Sequence, residues 1–130
     1  MAPLPEDAPL LPTSRSRGRD FELAAEQHLE KYGLTLVTRN HLCRGGELDL
    51  VMRDGRTLVF VEVRYRRSSR YGSAAESVDR RKQARIVRAA QHFLLTHRQY
   101  QQSACRFDVL AIEGEGEARR IDWIKGAFSA

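Results

Sequence analysis

Lysine is scarce in this chain. Of its 22 basic residues only Lys31, Lys82 and Lys125 are lysines, and the other 19 are arginines. Long apolar runs are missing as well. A membrane span needs about 18 apolar residues in a row, and the longest apolar stretch here, 58–63, already contains Glu62. No membrane is expected. Cysteine is limited to Cys43 and Cys105, far apart and without a CxxC pair. That excludes a disulfide framework and a zinc ribbon and fits the reducing cytoplasm. Proline occurs only at Pro3, Pro5, Pro9 and Pro12. Residues 1–14 therefore read as a disordered tail, since proline interrupts both helix and ladder. The stretch also lacks a basic segment and carries Glu6 and Asp7, so it does not read as a secretory signal. The four histidines show no HExxH spacing, Ser68 and Ser69 lack a catalytic setting, and Gly45-Gly46 is no phosphate loop.

What is present begins with size and charge. The 130 residues are 42% hydrophobic and 30% charged, the balance of one globular domain, expected over 15–130. Net charge is +5 and unevenly spread. Between Arg64 and Arg88 stand Arg64, Arg66, Arg67, Arg70, Arg80, Arg81, Lys82, Arg85 and Arg88, against only Glu76 and Asp79. Two readings fit this run. One is a polyanion partner, usually nucleic acid. The other is a solvated helix face.

Hydrophobic spacing predicts the element order α-β-β-β-α-β-β, an α/β domain with a mixed sheet flanked by helices. The first helix is expected over 17–32, with Phe21, Ala24, Ala25, His28 and Leu29 in one stripe, stopped by Gly33. A strand follows over 34–39 and a loop over 40–46. The runs ELDLVM (47–52) and TLVFVEVR (57–64), joined by Arg53-Asp54-Gly55-Arg56, carry an Asp-Gly hairpin signal. A basic loop is expected over 65–77 and a second helix over 79–97, capped by Ser77 or Asp79. Strands over 105–112 and 119–124 complete the pattern, with Trp123 and Phe128 read as core.

The hairpin is where chemistry concentrates. An Asp54-Gly55 turn sets Asp49 opposite Phe60 and Glu47 opposite Glu62. Alternation then puts Glu47, Asp49, Glu62 and Arg64 on one face, beside Val51, Leu58 and Phe60. Leu48, Leu50, Val59, Val61 and Val63 take the other. Carboxylates this close repel and raise one another's pKa. A hard divalent cation, Mg²⁺ or Mn²⁺, would relieve that repulsion. The plainer alternative is an exposed acidic edge with Arg64 in an ordinary salt bridge.

The pattern Asp-(x12)-Glu-x-Arg resembles the PD-(D/E)XK nuclease superfamily, which carries Glu-x-Lys on the second strand. More closely, GGELDLVMRDGRTLVFVEVRYRRS, the later RFDVLAI and the closing WIKGAF resemble the bacterial YraN family over roughly residues 15–130. The resemblance implies a restriction-endonuclease-like, Holliday-junction-resolvase-like fold and metal-dependent phosphodiester hydrolysis. It implies that Asp49 and Glu62 bind the metal, with the backbone carbonyl of Val63 as a further ligand. Glu22 matches a glutamate that resolvase-like members carry on the first helix; an ordinary solvated residue is the alternative. Arg64 departs from the superfamily pattern. Arginine stays charged, so Arg64 can face a phosphate but cannot act as a base. Lys82 either supplies the missing amine or is one more surface cation. Arg66, Arg67, Arg70, Arg81, Lys82 and Arg85 are the expected nucleic-acid contacts, with DNA favoured over RNA. A homodimer is expected by analogy only. The competing function is a nucleic-acid-binding module with a degenerate nuclease site.

Overall fold

The computed structural model describes residues 14–66, 78–114 and 116–130. It contains α1 (Ser14–Lys31), β1 (Thr35–Cys43), β2 (Gly46–Asp54), β3 (Thr57–Arg66), α2 (Arg80–Thr96), β4 (Cys105–Glu113) and β5 (Arg120–Phe128). Single 3₁₀ turns lie at Arg98–Tyr100 and Gly116–Ala118. The element order is the one expected from spacing. The proposed tail falls outside the described residues except for Ser14, which already belongs to α1.

The strands form one sheet in the order β1-β2-β3-β4-β5, antiparallel except for the parallel pair β3–β4. Parallel neighbours need a long crossover, and α2 lies within it. The two helices bury different apolar sets. Ile86, Ala89, Ala90 and Phe93 of α2 pack with Leu48, Val51, Leu58, Phe60 and Val109. Ala25 and Leu29 of α1 pack with Leu50, Met52, Val59, Val61, Leu110 and Ile112. The result is a three-layer helix–sheet–helix sandwich. A strand covered on both faces reads as a continuous apolar run, which explains LVFV in β3.

The helix ends are closed by backbone and side-chain bonds. Gly33, at φ 96°, donates to the Glu30 carbonyl while Leu34 donates to that of Leu29, a Schellman closure of α1. Asp79 caps α2 by accepting the Lys82 N–H at 2.9 Å. Glu26 of α1 is buried and grips Arg39 of β1 through two bonds of 2.6 and 3.0 Å.

Four sequence expectations need correction. The loop at 40–46 is mostly strand: His41, Leu42 and Cys43 pair with Leu48, Glu47 and Gly46, leaving only Arg44-Gly45 to turn. The last strand continues to Phe128. The β2–β3 turn is Gly55-Arg56, because Asp54 pairs with Thr57. Gly55 takes φ 61° as first central residue, as a type II′ turn requires. This shifts the register by two residues from the expected one. A shift of two keeps every side chain on its face, so the carboxylate face survives. Leu48 is the exception, since it packs with the α2 cluster rather than with Leu50.

Candidate active site

β2 and β3 pair only from Leu50–Val61 towards the turn. Beyond that pair β2 keeps β1 as its partner, while β3 keeps β4. Asp49 and Glu62 stand just where the two strands part. The Val63 N–H donates to Asp49 Oδ2 at 2.9 Å, so the carboxylate receives a donor that β2 no longer pairs.

Around this opening five elements contribute polar side chains. Glu62 is buried, and its Oε2 lies 3.6 Å from an Arg64 guanidinium nitrogen and 3.5 Å from Lys82 Nζ. The neighbouring Asp49 carboxyl is pushed up to about 8, first by burial and then by the Glu62 charge. Glu22 on α1 is pushed up to about 7 by burial and by the charges of Asp49 and Glu47; a hydrogen bond with the Asn40 side chain draws it partly back. Asn40 itself has φ 53° within β1, a conformation asparagine adopts more readily than most residues. A groove of about 280 Å³ opens beside the site between the β1–β2 turn and α2. Glu47, Lys82 and Arg85 are among its lining residues.

The fold thus gathers Glu22, Glu47, Asp49, Glu62, Arg64 and Lys82 from α1, β2, β3 and α2. Arg81 and Arg85 are exposed on α2, and Arg66 ends β3. Arg67 and Arg70 lie outside the described residues. Lys82 is no ordinary surface cation, because it pairs with Glu62 across the gap between α2 and β3. Sequence reasoning did not single out Asn40; the signal it missed is an asparagine inside a short polar break in an otherwise regular strand.

Asp108 is buried too, but its role is structural. It accepts two bonds from Arg106 at 2.9 and 3.0 Å, one from Trp123 Nε1 at 2.8 Å and one from the Gly126 N–H at 2.9 Å. The bonds from Trp123 and Gly126 hold β4 to β5 where their register shifts.

Among the described residues no three His, Cys, Asp or Glu side chains form a set able to hold a metal ion. Asp49 and Glu62 are two hard oxygen donors. Mg²⁺ commonly takes one or two carboxylates and completes its shell with water and phosphate oxygens. The donor set fits such an ion, and a cation there would offset the burial and the Glu62 repulsion that raise the Asp49 carboxyl.

Fold and site together define an α/β sandwich protein with a carboxylate–cation centre where its inner strands separate. Comparison with known proteins gives the family. The model described as "Uncharacterised protein family UPF0102" matches residues 21–112. A UPF0102 protein of Stutzerimonas stutzeri is 54% identical over 90% of this chain and 98% of the relative. One from Ectopseudomonas mendocina is 58% identical over 87% and 94%, and one from Aeromonas hydrophila is 53% identical over 92% and 89%. The chain belongs to the UPF0102 family, the YraN family that its motifs resemble.

Proposed function

We propose that this protein is a metal-dependent nuclease that binds DNA and hydrolyses phosphodiester bonds at the Asp49–Glu62 centre. The observation that carries the reading is the placement of Asp49 and Glu62 at the parting of β2 and β3, with two cations, Arg64 and Lys82, on Glu62. Asp49 and Glu62 would hold Mg²⁺ or Mn²⁺, and the Val63 carbonyl is the proposed further ligand. The ion would supply Lewis-acid chemistry at the phosphate. Arg64 keeps its charge and faces the phosphate, where fixed positive charge favours the transition state. Lys82 brings an amine to the position that the strand arginine leaves without one. Glu22, whose carboxyl lies near 7, can take or give a proton at neutral pH.

Arg66, Arg81 and Arg85, together with Arg67 and Arg70, would hold the DNA backbone through phosphate contacts. The proposed setting is the cytoplasm; among the described residues no helix is long and apolar enough to cross a membrane, and both cysteines are free. A homodimer, which would place two centres on two strands, belongs to the same proposal. The second reading, a binding module without turnover, rests on Arg64 standing where the superfamily has lysine.

Binding is tested by the salt dependence of affinity for duplex DNA. The logarithm of affinity should fall with that of salt by about 0.9 per phosphate contact. The Arg81→Ala/Arg85→Ala protein should show a slope shallower by about one to two units. An unchanged slope would move the contacts off α2. No binding at low salt would remove DNA as the partner.

A further inference from the structure

Three of the chain's four histidines meet at the end of α2 farther from the carboxylates. His41 comes from β1, His92 lies four residues before the end of α2, and His97 is the C-cap of α2. His41 Nε2 lies 2.9 Å from His92 Nδ1, and the two rings are tilted by 39°. His97 stacks on Phe93 at 3.9 Å, and its Nδ1 lies 2.9 Å from the Phe93 carbonyl. It forms a wall, with its ring centre 6.1 Å from that of His41. His92 is exposed, so the paired nitrogens are open to solvent.

We propose that His41 and His92 form a two-imidazole clamp for a late divalent transition-metal ion, of the Ni²⁺ or Cu²⁺ type. Geometry selects the class. Metal–imidazole bonds of about 2.0–2.1 Å separate two nitrogens by about 2.9 Å at a right angle, and by about 3.3 Å at a tetrahedral angle. The observed 2.9 Å is the length of the hydrogen bond that the two rings share, and it equals the right-angle separation, which square-planar and octahedral ions use. Imidazole is also a preferred donor for these ions, and affinity rises towards Ni²⁺ and Cu²⁺ in the divalent series.

The proton count balances without a co-reactant. In the neutral pair one ring donates to the other. On metal binding the donor ring shifts that proton to its outer nitrogen, and both facing lone pairs go to the ion. Burial and the neighbouring His92 and His97 keep His41 below its ordinary pKa, which favours the neutral ring a ligand must be. No third His, Cys, Asp or Glu among the described residues completes a set with them. Water fills the remaining positions. The site is separate from the carboxylate centre: Lys82 and His92 are ten residues apart on α2, about 15 Å along the helix. A bound ion would tie β1, an edge strand, to α2.

Ni²⁺ is the probe, added to full-length Asp49→Asn protein without an affinity tag, so that the carboxylate centre does not compete for the ion. Calorimetry should give one site, and Ni²⁺ should raise the melting temperature. His92→Gln, at an exposed position, should weaken binding by roughly tenfold or more and abolish the rise. In the same background His41→Gln should do the same, while His28→Gln should leave both unchanged. In proton NMR, Ni²⁺ should broaden the imidazole signals of His41 and His92 and spare those of His28. In the Asp49→Asn background, equal Ni²⁺ affinity with and without His92→Gln, or a loss in His28→Gln as large as in His92→Gln, would overturn the proposal.

Discussion

The Asp49 carboxylate accepts the backbone N–H of Val63 at 2.9 Å, with Asp49 one residue past Leu50 and Val63 two past Val61, the last β2–β3 pair. The side chain does the work of a ladder carbonyl and at the same time faces Glu62. These two demands oppose each other. The hydrogen bond favours the charged form of Asp49; burial and the Glu62 charge disfavour it and win, setting the carboxyl at about 8.

The pH dependence of stability follows. Unfolded Asp49 titrates near 3.8 and folded Asp49 near 8, so between these values the folded state binds more protons. Stability should therefore fall as pH rises through that window and level off above it. Each pH unit is worth at most about 1.4 kcal/mol. Asp49→Asn keeps an oxygen for the Val63 N–H and removes the titration. In chelator-containing buffer it should reduce the slope of melting temperature between pH 5 and about 8, leaving below about 7 the share that Glu22 carries. A variant with the wild-type slope would show that another group carries the dependence.

Divalent metal should act in the opposite direction. Mg²⁺ or Mn²⁺ bound to the folded state raises the melting temperature. At Asp49 it must displace a proton, so the rise should grow from acidic to alkaline pH. Asp49→Asn should abolish the rise at every pH. Equal metal stabilisation of both proteins would remove Asp49 as a ligand.

The two cations on Glu62 should differ in their substitution patterns. Arg64→Ala and Lys82→Gln should each lower cleavage by on the order of 10²–10³ if both face developing charge. Arg64→Lys keeps a cation at this position and should retain activity. Steady-state rates on one DNA substrate decide this; full activity in Lys82→Gln would leave the Lys82–Glu62 pair a structural one.

The groove beside the site depends on a close approach. A Cβ on Gly46 would come within 2.3 Å of the Arg85 carbonyl oxygen. Gly46→Ala should push the β1–β2 turn off α2 and cost about 1–3 kcal/mol. Gly18, in α1, has nothing within 4 Å of such a Cβ. Gly18→Ala should gain about 0.5–1 kcal/mol from helix propensity. Denaturant melts of the two variants should shift in opposite directions.

Much of this architecture could be read from the residues. The stripe of Ala25 and Leu29 and that of Ile86, Ala90 and Phe93 announced two helices with one apolar side each. The TLVFVEVR run announced a strand of a hairpin, and its coverage on both faces became visible only once both helices were docked. The hairpin was legible, but its register was not. Asp54-Gly55 is the commoner turn pair, whereas the chain turns at Gly55-Arg56 and brings the register of Asp49 level with Glu62. That correction strengthens the carboxylate pair without changing its face. Leu48 misled because alternation assumes that β2 stays paired with β3, and the strands part before it. Lys82 was ambiguous for a different reason. Its distance to Glu62 depends on how α2 docks on the sheet, which no local spacing encodes. Asn40 and the histidine pair were hidden in the same way, since His41 and His92 are 51 residues apart.

The central claim is that Asp49 and Glu62 form a centre for phosphodiester hydrolysis. Its most direct test is cleavage of end-labelled linear duplex, single-stranded and branched DNA, with Mg²⁺ or Mn²⁺ and with chelator, by wild type, Asp49→Asn and Glu62→Gln purified identically. The predicted result is metal-dependent cleavage of at least one substrate by wild type, lost in both variants while their DNA affinity is kept. Cleavage that survives in Asp49→Asn, or wild-type protein that binds all three DNAs and cuts none with either metal, would contradict it.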